Sequence, residues 1–405
     1  MKSYNRLFVC FSGLDSVLLP LWLCILAFGL WSEVLGDTRI DSLSSDPRLV
    51  EDLDVIWMYP EKTLEYQDTA DFRFNNSAVT GLANPNGFGS LGSSPTRQFE
   101  WGGVIDGKQK DIGVLGVYVN RPFAPLFYTV YGGYWRPVGG ATPWASSSLP
   151  SNKLDLFWAQ TFGSMDFGVR LNYGDMQNNG SDYARAFGAE MGVGFKGNGA
   201  FSQANFHAGY SLGTFQNGPI ADNGIFSLSA GALLQHDMSP DDNLRFFTDF
   251  GLDQYQDTTG TNISHTLTTL GLACTHELRS GKGLLSTGLV ANNVGGSGQA
   301  NWIVGWNGSV EDALTNWLVL RAGLFKVLFD RQTSGGVTSD PTIPNTTVFN
   351  LGAELHWENW MLDARVGIRS LETDIQNFQP GNGISFSNNG AALITLTEAD
   401  LRYQF

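Results

Sequence analysis

The sequence predicts an all-β fold in which a closed, antiparallel, up-and-down β-barrel spans a membrane. Three observations predict it: runs that alternate apolar and polar residues, connections that alternate between short and long, and an alternation that continues to the last residue. A period of two gives a strand one apolar and one polar face. From about residue 69 to residue 405, such runs suffice for about 16 strands, with 14 or 18 as the alternatives.

The first 36 residues have the features of a secretory signal peptide. Lys2 and Arg6 give a positively charged start, and residues 17–30 form an apolar run. The run is shorter than the roughly 20 residues of a spanning helix, and Pro20 interrupts it. We therefore expect residues 1–36 to be removed on export, with a retained membrane anchor as the alternative.

Composition narrows the function classes. The net charge of −15 argues against a nucleic-acid partner, because such partners require a basic surface. With 49 Gly, 27 Phe and only 16% charged residues, the chain has the composition of barrel strands. Cys10 and Cys24 lie in the signal segment, so the mature chain keeps only Cys274 and has neither an internal disulfide nor a cysteine metal site.

Alternating runs carry the fold prediction. The clearest is 165–173, and comparable runs occur at 187–195, 204–212, 349–357 and 362–368. Each is about the 9 to 11 residues of a tilted membrane strand. Because every backbone polar group in hydrocarbon must be paired internally, such strands can span a bilayer only as a closed barrel.

The connections between these runs alternate in length. Short connections are expected at 163–164, 197–200, 236–242, 279–283, 311–315 and 358–360. Longer polar segments are expected at 174–183, 215–223, 253–263, 291–300, 329–346 and 370–389. In outer-membrane barrels the short turns face the periplasm and the long loops face outward. The longest outer segment, residues 121–152, is predicted to fold partly into the lumen and narrow it.

The polar face of the strands is expected to line a water-filled lumen. The hypothesised pore-lining residues are Arg170, Glu190, His207, Arg245, Asp249, Arg321, Glu354, Asp363, Arg365 and Arg369. Opposed charges across a constriction would orient dipolar solutes, and the acidic total predicts a mild preference for cations.

Catalytic and metal-binding motifs are missing from the sequence. It contains no close His pair, no H-E-x-x-H, no G-x-S-x-G and no phosphate-binding loop. We therefore predict a protein that is not an enzyme and needs no metal or cofactor. A hydrolase with Ser and His on neighbouring strands is the alternative, since spatial neighbours cannot be read from a sequence.

Residues 37–68 carry no strand alternation, although 43–53 could form a short amphipathic piece. We interpret 37–68 as an N-terminal extension that is either periplasmic or inserted in the lumen. The barrel is then assigned to residues 69–405.

The C-terminal residues carry a resemblance to a known class. Leu401, Tyr403 and Phe405 alternate with polar residues. This ending resembles the C-terminal assembly signal of bacterial outer-membrane β-barrels. With the alternating strands and loops, it makes 69–405 similar to the broad porin class, within which no specific family is identified.

The resemblance implies several properties. It implies export through the periplasm to the outer membrane of a Gram-negative bacterium, where the partners are the barrel-assembly machinery and the lipid bilayer. It also implies passive diffusion of small hydrophilic solutes or ions and, as in many porins, a homotrimer.

Three alternatives remain open. The chain could be a plugged transporter for hydrophobic compounds, resembling the fatty-acid transport family, with 50–60 as the plug. The Asn-Pro-Ala start typical of that family is absent. The chain could instead be a structural or receptor barrel that binds partners through its outer loops, or a soluble two-sheet protein that buries its apolar face.

Overall fold

The computed structural model describes residues 39, 43, 48, 50, 52–75, 98–106, 112–119, 152–177, 183–197, 200–216, 223–256, 262–278, 282–296, 299–334, 337–339, 347–367 and 395–405. These residues form the following strands: β1 Thr69–Asn75, β2 Gln98–Asp106, β3 Val114–Val119, β4 Asn152–Phe162, β5 Met165–Gln177, β6 Tyr183–Lys196, β7 Gln203–Gln216, β8 Asn223–Asp237, β9 Asp242–Gln256, β10 Asn262–Leu278, β11 Gly283–Gly296, β12 Gln299–Ala313, β13 Leu318–Ser334, β14 Val337–Ser339, β15 Thr347–Trp357, β16 Trp360–Gly367 and β17 Thr395–Gln404.

The strands close into one barrel. Each pairs antiparallel with its neighbours in sequence, and β1 pairs with both β2 and β17, so that Phe72 lies opposite Trp101 on one side and Leu401 on the other. Strand β13 pairs with β15 along most of its length and with the short β14 at its end. The barrel therefore has 16 strands, which confirms the predicted fold class and strand number.

The wall has two chemically different faces. On β4, Leu154 and Leu156 are 38% and 42% exposed, whereas Asp155 between them is fully buried. The same phase continues around the barrel, with large apolar side chains exposed on the outside at Leu171, Met191, Phe206, Tyr210, Phe250, Leu270, Leu289 and Leu320. So wide an apolar band is unfavourable in water and matches a wall that faces lipid.

The turns at one end of the barrel are short. Gly163 and Ser164 alone join β4 to β5, and Gly163 has a φ of +65°, which favours glycine in so tight a turn. Residues 358–359 likewise join β15 to β16. We call this the short-turn end.

The predicted loop at 291–300 is wrong, and the one at 329–346 is partly wrong, because β13 continues to Ser334 and β14 spans Val337–Ser339. The segment 291–300 was expected to be a long outer connection, but β11 continues to Gly296 and β12 begins at Gln299. Only two residues therefore lie between these strands. The Asn, Gly and Ser residues of this segment suggested a loop, yet polar and small residues also suit the inner face of a barrel strand.

The N-terminal segment lies inside the barrel at the short-turn end. Two short 3₁₀ helices, Leu53–Trp57 and Pro60–Glu65, precede β1. No helix in the described ranges is long and apolar enough to cross a membrane. Side chains of the first 3₁₀ helix join inward-facing wall residues in the main apolar core. Protein rather than water therefore fills this part of the lumen, which differs from the water-filled lumen expected from the sequence.

Candidate functional site

The candidate site is the contact between the N-terminal segment and the inner wall. Val55, Ile56 and Tyr59 are 0% exposed, although they belong to a short segment without a core of its own. The second 3₁₀ helix, Pro60–Glu65, packs against β3, β4, β5 and β6. The wall supplies the surface that buries these side chains, so the segment is held by contacts with the barrel.

Aromatic contacts anchor the first helix. The ring of Trp57 meets Tyr118 on β3 and Phe157 on β4 edge to face, with ring centroids 5.0 and 4.9 Å apart. Such arrangements add about 0.5 to 1.5 kcal/mol to the area that an aromatic side chain buries. Tyr118 and Phe157 are also in edge contact with each other, so the three rings form one cluster.

A glycine-lined hollow receives the second helix. Gly168 on β5 and Gly192 and Gly194 on β6 all face inward. A β-carbon at 168 would overlap the backbone of Pro60 and Glu61, and one at 192 would overlap the Glu61 carboxyl group. Glycine is therefore needed at these positions for the helix to reach the wall.

Arg170 on β5 links the wall to the N-terminal segment. Its guanidinium donates from Nε and Nη2 to Asp155 Oδ1, at 3.0 and 2.9 Å, and from Nη1 to the carbonyl oxygen of Trp57, at 2.9 Å. It also lies 5.0 Å from the centre of the Trp57 ring. A guanidinium with several hydrogen bonds and a ring contact is well suited to so buried a position.

His207 on β7 lies between two carboxylates of the wall. Its Nδ1 is 2.8 Å from Glu190 Oε1, and its Nε2 is 2.7 Å from Asp249 Oδ1. The imidazole therefore bridges the two carboxyl groups. The Tyr59 ring packs edge to face on the imidazole at 4.8 Å, and Arg48 forms an ion pair with Asp249. The N-terminal segment thus contacts this bridge at two points.

Glu61 occupies the glycine-lined hollow. Its side chain is buried, and neither carboxyl oxygen has a hydrogen-bond partner on another described residue. Burial raises its pKa to about 8, and the nearby Glu190 carboxylate adds to the rise, partly offset by Lys62 and by its own backbone N–H. Glu61 is therefore mostly protonated in the docked segment at neutral pH.

A second charge cluster holds the start of the segment at the short-turn end. Arg321 on β13 pairs with Glu311, Glu354 and Asp363 on β12, β15 and β16. Arg39 of the N-terminal segment binds the same Glu311 through Nε at 2.8 Å. Burial lowers the pKa of Arg39, but Glu311 and Asp52 raise it more, so the guanidinium stays charged.

The structure brings most of the predicted pore-lining residues to the inner face. The buried ones are Arg170, Glu190, His207, Arg245, Asp249, Arg321 and Asp363, and Glu354 is partly buried. Arg365 lies on β16, opposite Gly352 and Glu398, and Arg369 lies outside the described residues, as does the segment 121–151. Seven of the predicted residues form two clusters beside the N-terminal segment, one of Arg170, Glu190, His207 and Asp249 and one of Arg321, Glu354 and Asp363. Their role in a pore stays a hypothesis.

The residues of the predicted assembly signal lie in and just beyond β17. Leu401 and Tyr403 pair with Phe72 and Ala70 of β1. Phe405 donates its N–H to the carbonyl oxygen of Asp68 at 2.8 Å, and its side chain is 70% exposed. These contacts describe the barrel seam. Whether these residues direct assembly is still a prediction.

Sequence reasoning missed the partners that the segment supplies. Arg48, Trp57, Tyr59 and Glu61 lie in a stretch without periodicity, where no local signal points to the wall. Asp155 lies between two outward leucines, so the alternation rule could have placed it inside. In the part of the chain that the structure describes, no group of three or more His, Cys, Asp and Glu could hold a metal ion.

A closed 16-strand barrel with an apolar outside and polar groups inside defines the class of this protein, an outer-membrane type of β-barrel. No family model and no curated protein matches the sequence. The toluene transporter TodX of Pseudomonas putida aligns over 92% of this chain and 97% of its own, with 8% identity and a TM-score of 0.39.

Other solved barrels align at similar levels. BamA of Haemophilus ducreyi, lacking POTRA domains 1–3, has 10% identity and a TM-score of 0.40 over 84% of this chain and 70% of its own. The translocator domain of the Neisseria meningitidis autotransporter NalP has 15% identity and a TM-score of 0.28 over 60% and 87%. Similarities this weak define neither a family nor a function.

Proposed function

We propose that this protein is an outer-membrane transporter whose lumen is plugged by its N-terminal segment, and that solutes pass when the segment moves. The observation that carries the proposal is the burial of residues 52–63 inside the barrel, where all described side chains are buried. An open diffusion pore has no need of a buried segment bound to its wall by aromatic and ionic contacts. The proposal includes export through the periplasm, residence in a Gram-negative outer membrane and a non-enzymatic role.

The chemistry of the contact favours hydrophobic compounds as solutes. Where the segment meets the wall, the lumen is lined by Tyr118, Phe157, Phe247 and Val290, which are all at most 5% exposed. If the segment moved away, it would uncover an apolar and aromatic surface, which suits an apolar ligand. Of the functions open from the sequence, the plugged transporter therefore has the strongest support.

A second candidate, a porin for small hydrophilic solutes, is favoured by another part of the wall. Thr275, Ser286 and Ser309 lie side by side on β10, β11 and β12, and all three are buried on the inner face. This row is uncharged and hydrophilic, and suits a path for polar solutes. The acidic net charge would then give a mild cation preference. The homotrimer implied by the porin resemblance is part of this second candidate function.

Removal of residues 37–68 separates the candidates. The full-length protein and the deletion variant would be refolded into planar bilayers, and their single-channel conductance compared. We expect little or no conductance from the full-length protein and a high conductance from the deletion variant. Equal, high conductance in both would reject the plug. Uptake of a fluorescent hydrophobic naphthylamine and of arabinose into proteoliposomes would then show which solute class the full-length protein admits.

A further inference from the structure

Glu61 is in an unusual position for a carboxyl group. It lies on the second 3₁₀ helix, in the hollow formed by Gly168, Gly192 and Gly194, and its side chain is 2% exposed. Neither of its oxygens has a hydrogen-bond partner on another residue of the described chain. The neighbouring carboxyl group of the same helix, Glu65, is exposed and pairs with Lys62 at 2.9 Å. The helix thus offers one buried and one exposed carboxyl group for comparison.

The charged and titratable groups around Glu61 already pair with one another. The titratable and charged groups that the packed elements supply here are Lys62 and Glu65 on its own helix, Arg48 earlier in the segment, Asp155 on β4, Asp166 and Arg170 on β5, Glu190 and Lys196 on β6, His207 on β7 and Asp249 on β9. Each of these ten groups is in an ion pair with another, such as Arg170 with Asp155. An ionised Glu61 would add a buried negative charge beside Glu190, and the nearby cation Lys62 already pairs with Glu65.

We propose that docking of the N-terminal segment is linked to a proton on Glu61, so that the plug is held while this carboxyl group is neutral and loosens when it ionises. The inference rests on the proposed function, because the released segment would open the lumen. The ligand of this switch is the proton itself. Release of the N-terminal segment is favoured as the pH rises.

The direction and size of the pH effect follow from the linkage between docking of the segment and proton binding by Glu61. The carboxyl pKa is about 8 in the docked segment, against 4.5 for an ordinary glutamate. A group whose pKa is raised by docking stabilises the docked state fully below its free pKa and loses this effect as the pH rises through its docked pKa. Between pH 6 and pH 9 the docking equilibrium should therefore weaken about 100-fold through Glu61 alone.

Hydrogen–deuterium exchange on the full-length protein in lipid nanodiscs tests the switch. We would compare the protection of residues 52–66 in wild type and in Glu61→Gln at pH 6 and at pH 9. Intrinsic exchange rates cancel at each pH, since only one side chain differs. The ratio of wild-type to variant protection should fall about 100-fold between the two values. Glu65→Gln, on the same helix, is the matched control and should give a constant ratio.

A constant ratio for Glu61→Gln would overturn the proposal. If that variant does not fold, conductance of the wild type alone decides: it should rise between pH 6 and pH 9, and an unchanged value would overturn the proposal. The deletion of residues 37–68 separates this failure from a failure of the proposed function. If the deletion variant conducts and the conductance of the full-length protein does not depend on pH, the proposed plug stands and the proposed proton switch is rejected. If the deletion did not change the conductance, the proposed plugged transporter would itself be rejected.

Discussion

Arg170 of β5 donates a hydrogen bond to the carbonyl oxygen of Trp57 in the N-terminal segment, across 2.9 Å. The bond joins a transmembrane strand to a residue 113 positions earlier in the chain. The same guanidinium binds Asp155 of β4, so one side chain stabilises both the wall and the docked segment.

Removal of this guanidinium should loosen the segment more than the barrel. Arg170→Ala takes the cation from the buried Asp155 and the donor from Trp57, and losing one partner of a buried pair costs about 3 kcal/mol or more. We expect faster hydrogen exchange in residues 52–59. In the double variant Arg170→Ala, Asp155→Ala, the buried carboxylate is also gone, and part of the loss should be recovered. Unchanged exchange in the single variant would contradict the role given to Arg170.

A single methyl group at residue 168, where the second helix meets β5 through its backbone, should expel that helix. In Gly168→Ala the new β-carbon would overlap the backbone of Pro60 and Glu61, which cannot move aside as a side chain could. We expect protease cleavage within 52–66 while heat-modifiable migration of the barrel is kept. Gly295→Ala is the control, because its nearest neighbour is the Thr266 hydroxyl at 3.2 Å. Resistance of Gly168→Ala to protease would show that the helix does not rest on this strand.

Arg321 should stabilise the folded barrel more strongly at neutral pH than at acidic pH. Three carboxylates converge on it from Glu311, Glu354 and Asp363, so Arg321→Met leaves like charges facing each other. We expect a loss of about 3 to 5 kcal/mol in the free energy of unfolding at pH 7. Protonation of these carboxylates should restore part of it near pH 4, measured by urea unfolding in detergent. An equal loss at both pH values would contradict the electrostatic explanation.

Phe405 should matter for assembly more than for stability. Its ring is largely exposed and packs at 5.0 Å on Tyr403, while its backbone N–H makes the bond to Asp68. Phe405→Ala keeps that N–H. We therefore expect near-normal stability of protein refolded in vitro but a severalfold lower yield in outer membranes. Tyr403→Phe, which keeps the aromatic ring, is the control. Normal yield of Phe405→Ala would remove the assembly role.

The barrel could be predicted from the sequence because its signal is local. The alternation around Arg170, Glu190 and His207 is visible within nine residues, and closure follows from the need to pair every backbone group in lipid. The connection at 297–298 was missed because polar residues on an inner face look like a loop.

The destination of residues 37–68 could not be settled from the sequence. Contacts such as Arg48 with Asp249 join positions about two hundred residues apart, and no local pattern records them. One signal was available. Gly168, Gly192 and Gly194 lie on the inward phase of two adjacent strands, and a smooth hollow there indicates that something packs into it.

A cysteine cross-link between the N-terminal segment and the wall tests the central claim most directly. A β-carbon at residue 194 would lie 3.2 Å from Cγ of Glu61, which brings the β-carbons of Glu61→Cys and Gly194→Cys within disulfide range. In a Cys274→Ser background, mild oxidation of the full-length protein should link these two positions. Glu61→Cys with Gly323→Cys, on the distant strand β13, should stay unlinked. Peptides joined through 61 and 194 are the predicted result; no link at 194, or a link at 323 instead, would contradict a segment docked on β5 and β6.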